Sequence, residues 1–186
     1  MPTVVSKNQY FDTALDVLAS SGFQGLNIRR MCTALGVTTG SFYHHFGNLK
    51  GFRIALLDYW ELRQEVILRE LKFGEGTAEG DLLALRTLTL GLPHAAETAI
   101  RAWGMNDPIV HDVQRRVDAA RQKTVRAAVL RIVGSEDVAD VLATLGMSTL
   151  VGYQHLRADG DQSDLGTLLD SFFRIVYLHR DHSLVA

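Results

Sequence analysis

Between residues 27 and 50 the chain gathers side chains suited to a polyanion and to the edges of bases: Asn27, Arg29, Thr38, Thr39, Ser41, Tyr43, His44 and Lys50. Guanidinium, amide and hydroxyl groups can read base edges, and phenol, imidazole and ammonium groups can hold phosphate oxygens. A merely solvated helix would usually show Lys, Glu and Gln in place of this short, varied set. Arg29 is the best candidate for a base contact. Thr38, Thr39 and Ser41 suit base edges or phosphates, Tyr43 and His44 suit the backbone, and Gly40 allows close approach.

Two short helices hinged at Gly36 would position these groups. Asn27 can cap the first by accepting from the exposed N–H groups of its opening turn. Ile28, Met31, Cys32 and Leu35 then recur at helical spacing, leaving Arg29, Arg30 and Thr33 off the apolar face. Gly36 tolerates the left-handed conformation that ends a helix, Val37 fills the corner and Thr38 caps the second helix. Phe42 and Phe46 point back into a small core, with Thr39, Ser41, Tyr43 and His44 largely outward. A helix this short needs neighbours to hold it. Such a pair suits the major groove of double-stranded DNA.

Catalytic and metal readings are thin. The chain has no phosphate-binding glycine signature, no paired CxxC and no HExxH. His44 and His45 are adjacent, so they project from different sides of a helix, which is poor geometry for one metal. His179, Asp181 and His182 read as a frayed polar end. The run Asp159–Asp164 has the oxygens of a calcium loop, but Asp164 stands where the sharp-turn glycine belongs, and helix capping by Asp164 is the better account. No cofactor or metal is expected. The lone cysteine, Cys32, lies on an apolar face and reads as a packed thiol.

The 186 residues, 47% hydrophobic and 22% charged, are ordinary for a globular protein. Met1 to Lys7 does not read as a signal peptide, and no window approaches ~20 uninterrupted apolar residues, so a cytoplasmic protein with no membrane span is expected. The net charge of −2 divides unevenly. Lys7, Arg29, Arg30, Lys50 and Arg53 outweigh Asp12 and Asp16 by three in residues 1–53, leaving −5 on the remainder. A mildly basic end on an acidic body orients the chain toward a polyanion, though charge alone cannot supply the affinity.

Three prolines and no sustained period-two alternation predict an all-α chain. A first helix spans Lys7–Ser20, with Phe11, Leu15 and Leu18 inward. After the helix-turn-helix, Asn48 caps a long helix to about Lys72, with Phe52, Leu56, Leu57 and Trp60 on its apolar side. A glycine-rich loop over 74–80 precedes a helix from Asp81 to Leu90. Further helices follow from Pro93 to Trp103, from Asp107-Pro108 to Val133 and from Ser135 to Leu156. A polar loop leads to the last, Leu165–His179. The last two carry wide apolar stripes that include Val138, Leu142, Leu145, Leu165, Leu169, Phe172, Phe173 and Val176, while Gly146 and Gly152 permit close backbone approach. Either both stripes pack into the chain's own core, or two copies join through them.

The run from Tyr10 to Trp60 resembles the DNA-binding domain of TetR-family transcriptional regulators, above all at Gly22-Phe23, Ile28-Arg29, Gly36-Val37 and Phe42-Tyr43-His44-His45-Phe46. The resemblance implies a three-helix DNA-binding domain over residues 1–52 and a helical effector-binding and dimerisation domain over 53–186. It implies a homodimeric, ligand-responsive repressor on a palindromic operator, with the last two helices forming a four-helix interface. An effector in the body would tilt the long helix and change the separation of the two readers. Where the family places a phosphate-binding lysine this chain has Leu49, with Lys50 one residue on and ~100° further around the helix. Cys32 stands where the family usually has alanine. The family's effector cavity would here be lined by Trp60, His94, Trp103, Met105, His111 and Tyr153. The competing classes are a helical binder without operator recognition, against which Arg29, Tyr43 and His44 argue, and a helical enzyme, for which no catalytic constellation exists.

Overall fold

A computed structural model describes the backbone of residues 5–70, 72–157 and 162–180. Residues 1–4, the stretch Asp159–Asp161 of the calcium-like run, and Asp181 and His182 lie outside the described residues. Nine α-helices and no strand occur among those described: α1 Lys7–Ser21, α2 Ile28–Leu35, α3 Thr39–Phe46, α4 Leu49–Glu70, α5 Ala78–Leu90, α6 His94–Gly104, α7 Pro108–Val133, α8 Glu136–Arg157 and α9 Gln162–Leu178. A 3₁₀ turn, Phe23–Gly25, joins α1 to α2.

Local chemistry sets most of these limits. Ser6 and Gln9 close α1 with a reciprocal capping box. The Asn48 side chain accepts from Gly51 N at 2.8 Å at the head of α4. Asp107 Oδ1 accepts from Ile109 N and Val110 N at the head of α7. Two helices start earlier than their sequence suggests. Thr77 accepts from Gly80 N at 3.0 Å, so α5 opens at Ala78 and takes Gly80 into its first turn. Likewise α9 opens at Gln162, which makes Asp164 a first-turn acid rather than a cap, placed where the helix dipole favours negative charge.

The chain packs as two compact units, Met1–Gln64 with Pro93–Arg115, and Glu65–Leu92 with Arg116–Ala186. In the first, Tyr10, Phe42 and Phe52 are fully buried among edge and tilted ring contacts that include Tyr10–Phe46 at 5.3 Å and Phe46–Phe52 at 4.9 Å. Helix α6 packs along α1 in the same unit.

The core of the second unit gathers Leu82, Leu85, Val129, Ile132, Leu142, Phe172 and Val176, with a satellite of Tyr153, Leu165 and Leu169. Arg86 grips Asp170 with two nitrogens, at 2.7 and 3.2 Å, clipping α5 to α9. Arg126 pairs with both Glu136 and Asp140, and Arg131 with the buried Asp81. A methyl group on Gly146 would meet Phe172 Cζ at 2.9 Å, so the missing side chain lets α9 close on α8. Gly152 plays no such part, since a methyl there would meet nothing within 4 Å among the described residues.

Candidate nucleic-acid interface

The two-helix element forms as its caps dictate. Asn27 Oδ1 accepts from Arg30 N at 3.0 Å, and Gly36 adopts φ 66° and ψ 32°, the left-handed geometry that closes α2. Val37 N then donates to Cys32 O, and Thr38 Oγ1 accepts from Ser41 N to open α3. Met31, Cys32 and Phe42 are buried and fix this pair to the core. Burial raises the Cys32 thiol pKa, which keeps it protonated and inert.

Asn27, Arg29, Thr38, Thr39, Gly40, Tyr43, His44 and Lys50 are all exposed. Arg29, Tyr43, His44 and Lys50 make no side-chain hydrogen bond or ion pair among the described residues, so their donors are open to a ligand. Ser41 differs. It is half-buried, and its Oγ accepts from the Tyr10 hydroxyl at 3.0 Å. Its own proton stays available, because a hydroxyl that accepts can still donate. Alternation along α3 could not reveal this bond, which joins residues 31 positions apart.

The remaining expected site residues are scattered. Trp60, His94 and Trp103 are buried in the first unit, while Met105 and His111 are exposed around the turn from α6 into α7. Tyr153 is buried in the second unit. The indole N–H of Trp60 is buried without a hydrogen-bond partner among the described residues. Of the residues assigned to self-association, Leu142, Leu165, Leu169, Phe172 and Val176 are committed to the chain's own core, with Val138 and Phe173 packed against it. Leu145 is exposed, as are Val141, Leu168 and Ile175. The wide stripes thus have an inward and an outward side, and most of the expected contacts fall on the inward one.

Residues 11–55 match the family model of the bacterial regulatory proteins, tetR family. No curated protein matches the chain. Several solved structures share the fold. A transcriptional regulator from Rhodococcus sp. Rha1 is 20% identical with a TM-score of 0.74, over 95% of this chain and 98% of that one. A TetR transcriptional regulator from Legionella pneumophila is 14% identical with a TM-score of 0.79, over 94% and 99% of the two chains. A TetR-family regulator from Rhodococcus sp. is 18% identical with a TM-score of 0.66, over 92% and 97%. Among the described residues no helix is long and apolar enough to cross a membrane. The capped helix-turn-helix thus lies within the stretch that matches the tetR family model, and the chain as a whole has the all-α fold of these solved regulators.

Proposed function

We propose that the protein is a homodimeric, ligand-responsive repressor that binds a partly palindromic operator, with residues 1–52 as the DNA-binding domain and 53–186 as the effector-binding and dimerisation domain. The observation that carries this reading is the exposed donor set Arg29, Tyr43, His44 and Lys50, without side-chain hydrogen bonds or ion pairs among the described residues, on the capped helix α3 and the helices before and after it. Arg29 would read a base, Thr38, Thr39 and Ser41 base edges or phosphates, and Tyr43, His44 and Lys50 the backbone, with Asn27 at the head of α2 alongside. Gly40 would let α3 approach the groove.

Self-association through α8 and α9 is supported by their outward apolar residues, Val141, Leu145, Leu168 and Ile175. An effector is supported by Trp60, whose buried donor, without a partner among the described residues, is a group that a ligand could satisfy. Regulation requires the effector to prefer a form that binds DNA poorly, and operator must then weaken effector binding by the same factor. Selection of bound fragments from genomic DNA, followed by footprinting, tests the central claim. An inverted repeat protected on two successive major-groove faces is expected. Protection without sequence preference would overturn operator recognition.

A further inference from the structure

We infer that a cleft within the first unit is a binding site for a small organic carboxylate, with Arg53 as the receptor for its charge; the regulatory meaning of this site rests on the ligand-responsive reading. The cleft has a volume of about 470 Å³, and its distinctive walls are Phe23, Gln24, Arg53, Trp103, Asn106 and Asp107. That size suits a small molecule.

Phe23 and Trp103 stack with centroids 4.4 Å apart and planes 16° apart. The Arg53 guanidinium lies over this pair, 4.6 Å from the Phe23 centroid and 6.0 Å from that of Trp103. Rings hold a guanidinium by its face and leave its in-plane N–H donors unsatisfied. Arg53 Nε is buried with no hydrogen-bond partner, and the side chain forms no ion pair among the described residues. Arg86, Arg126 and Arg131, by contrast, all meet carboxylates. A forked carboxylate is the acceptor that matches the donors Arg53 leaves open.

The carboxylate already in the cleft does not fill this role. Asp107 Oδ2 accepts from Trp103 Nε1 at 3.2 Å, while Oδ1 accepts from Ile109 N at 3.0 Å and Val110 N at 3.4 Å. Its charge is directed to the indole and to the first turn of α7. Ala99 and Ala102 add apolar wall, so a carboxylate with a hydrocarbon part fits better than a bare inorganic anion.

The cleft lies at the far end of α1 from the reading helix α3. Tyr10 meets α3 near the start of α1, whereas Ser21, at the other end of α1, lines the cleft. Eleven residues of helix separate the two, about 16 Å along the axis. The cleft still bears on the reader through the chain. Its 3₁₀ turn ends at Gly25, two residues before the Asn27 cap of α2, and Arg53 lies one turn beyond Lys50 on α4.

The full-length protein, labelled with nitrogen-15, is titrated with sodium benzoate and sodium hexanoate, with benzamide as the neutral counterpart and inorganic phosphate as the bare anion. At least one carboxylate should saturably shift the Arg53 Nε–H signal and the amides of Gly22 and Gln24. Benzamide and phosphate should each bind about tenfold more weakly or worse. Arg53→Met should lose the response and Arg53→Lys keep part of it, the wild-type spectra providing the test should the Met variant misfold. Unmoved signals with both carboxylates, or equal binding by a folded Arg53→Met, would overturn the site. Equal affinity for phosphate would overturn its organic character. Operator binding measured on the same samples separates the two claims. A wild-type protein that binds operator but gives no carboxylate response sinks the site alone; a saturated site with unchanged operator affinity supports the site and sinks ligand responsiveness.

Discussion

The Tyr10 hydroxyl donates to Ser41 Oγ at 3.0 Å and ties the first helix to the helix that would read DNA. Tyr10 is fully buried and its ring meets Phe42 and Phe46 edge-on, so the hydroxyl is held where Ser41 must come to meet it. Tyr10→Phe keeps the ring packing and removes this tether alone. The expected cost is about 1 kcal/mol of stability, the net worth of one such bond. Operator affinity should fall as well, because α3 loses a positional constraint. Denaturant unfolding and fluorescence anisotropy on labelled operator measure the two effects; a variant unchanged in both would mean the bond does not position α3.

A second prediction follows from the Arg86–Asp170 clip. The hydrogen bonds from Arg86 hold the Asp170 carboxyl below the usual carboxylate range. A depressed folded-state pKa means that the clip stabilises above the ordinary carboxylate pKa, and that this contribution is lost as pH falls through the depressed value. Asp170→Asn should therefore be less stable than the parent at neutral pH, with the gap closing in acid. Both partners are accessible to solvent, so added salt should narrow the gap too. Unfolding midpoints across a pH series decide it, and a gap that widens toward acid would reverse the assignment.

How far the sequence carried this reading depended on whether the deciding contact was local. Asn27, Gly36 and Thr38 set the limits of α2 and α3 through bonds spanning three or four residues, and the sequence placed both helices correctly. The start of α5 was hidden because Gly80 reads as a helix breaker, whereas the Thr77 cap absorbs it. On α9, nearly every turn offers apolar residues on two sides. Periodicity finds the stripe, but only packing separates Leu165, Leu169, Phe172 and Val176, which turn inward, from Leu168 and Ile175, which turn out. The stack of Phe23, Arg53 and Trp103 was invisible for a related reason. Its members lie far apart in the chain, and none has a neighbour that announces the others.

That separation sharpens the test of self-association. Leu145→Glu and Leu168→Glu alter exposed residues on α8 and α9, and they should give folded monomers. Phe172→Glu, at a buried position against Gly146, should unfold the protein instead. Sedimentation velocity with circular dichroism distinguishes the outcomes. Folded dimers from the double variant Leu145→Glu/Leu168→Glu would remove α8 and α9 from the interface.

Arg29 and Lys50 should fail differently when removed. Arg29→Ala deletes the proposed base reader and should cost about 1–3 kcal/mol on the preferred sequence, with less effect on unrelated DNA. Lys50→Ala should weaken all sequences alike and reduce the salt dependence by about one phosphate. Its effect should be the smaller, because Lys50 stands one position past the family's lysine. Titrations on specific and scrambled duplexes at several salt concentrations test both. An equal loss on every sequence for Arg29→Ala would make it a backbone contact.

Gly40 offers a prediction in which stability and binding move in opposite directions. Among the described residues a methyl group there would meet only Thr38 Oγ1, at 3.5 Å, an ordinary contact in the free protein. Gly40 lies within the first turn of α3, and its backbone does not require a glycine. Gly40→Ala should therefore stabilise the fold by a few tenths to about 1 kcal/mol, chiefly by restricting the unfolded chain. If α3 lies close against DNA at this point, the same methyl group must push the helix away, and operator affinity should fall despite the firmer fold. Thermal unfolding in the absence of DNA, set beside operator titration, reads the two signs separately. A variant that gains stability and binds as tightly as the parent would show that Gly40 does not face the groove closely, and Thr39 and Tyr43 would then have to carry the approach.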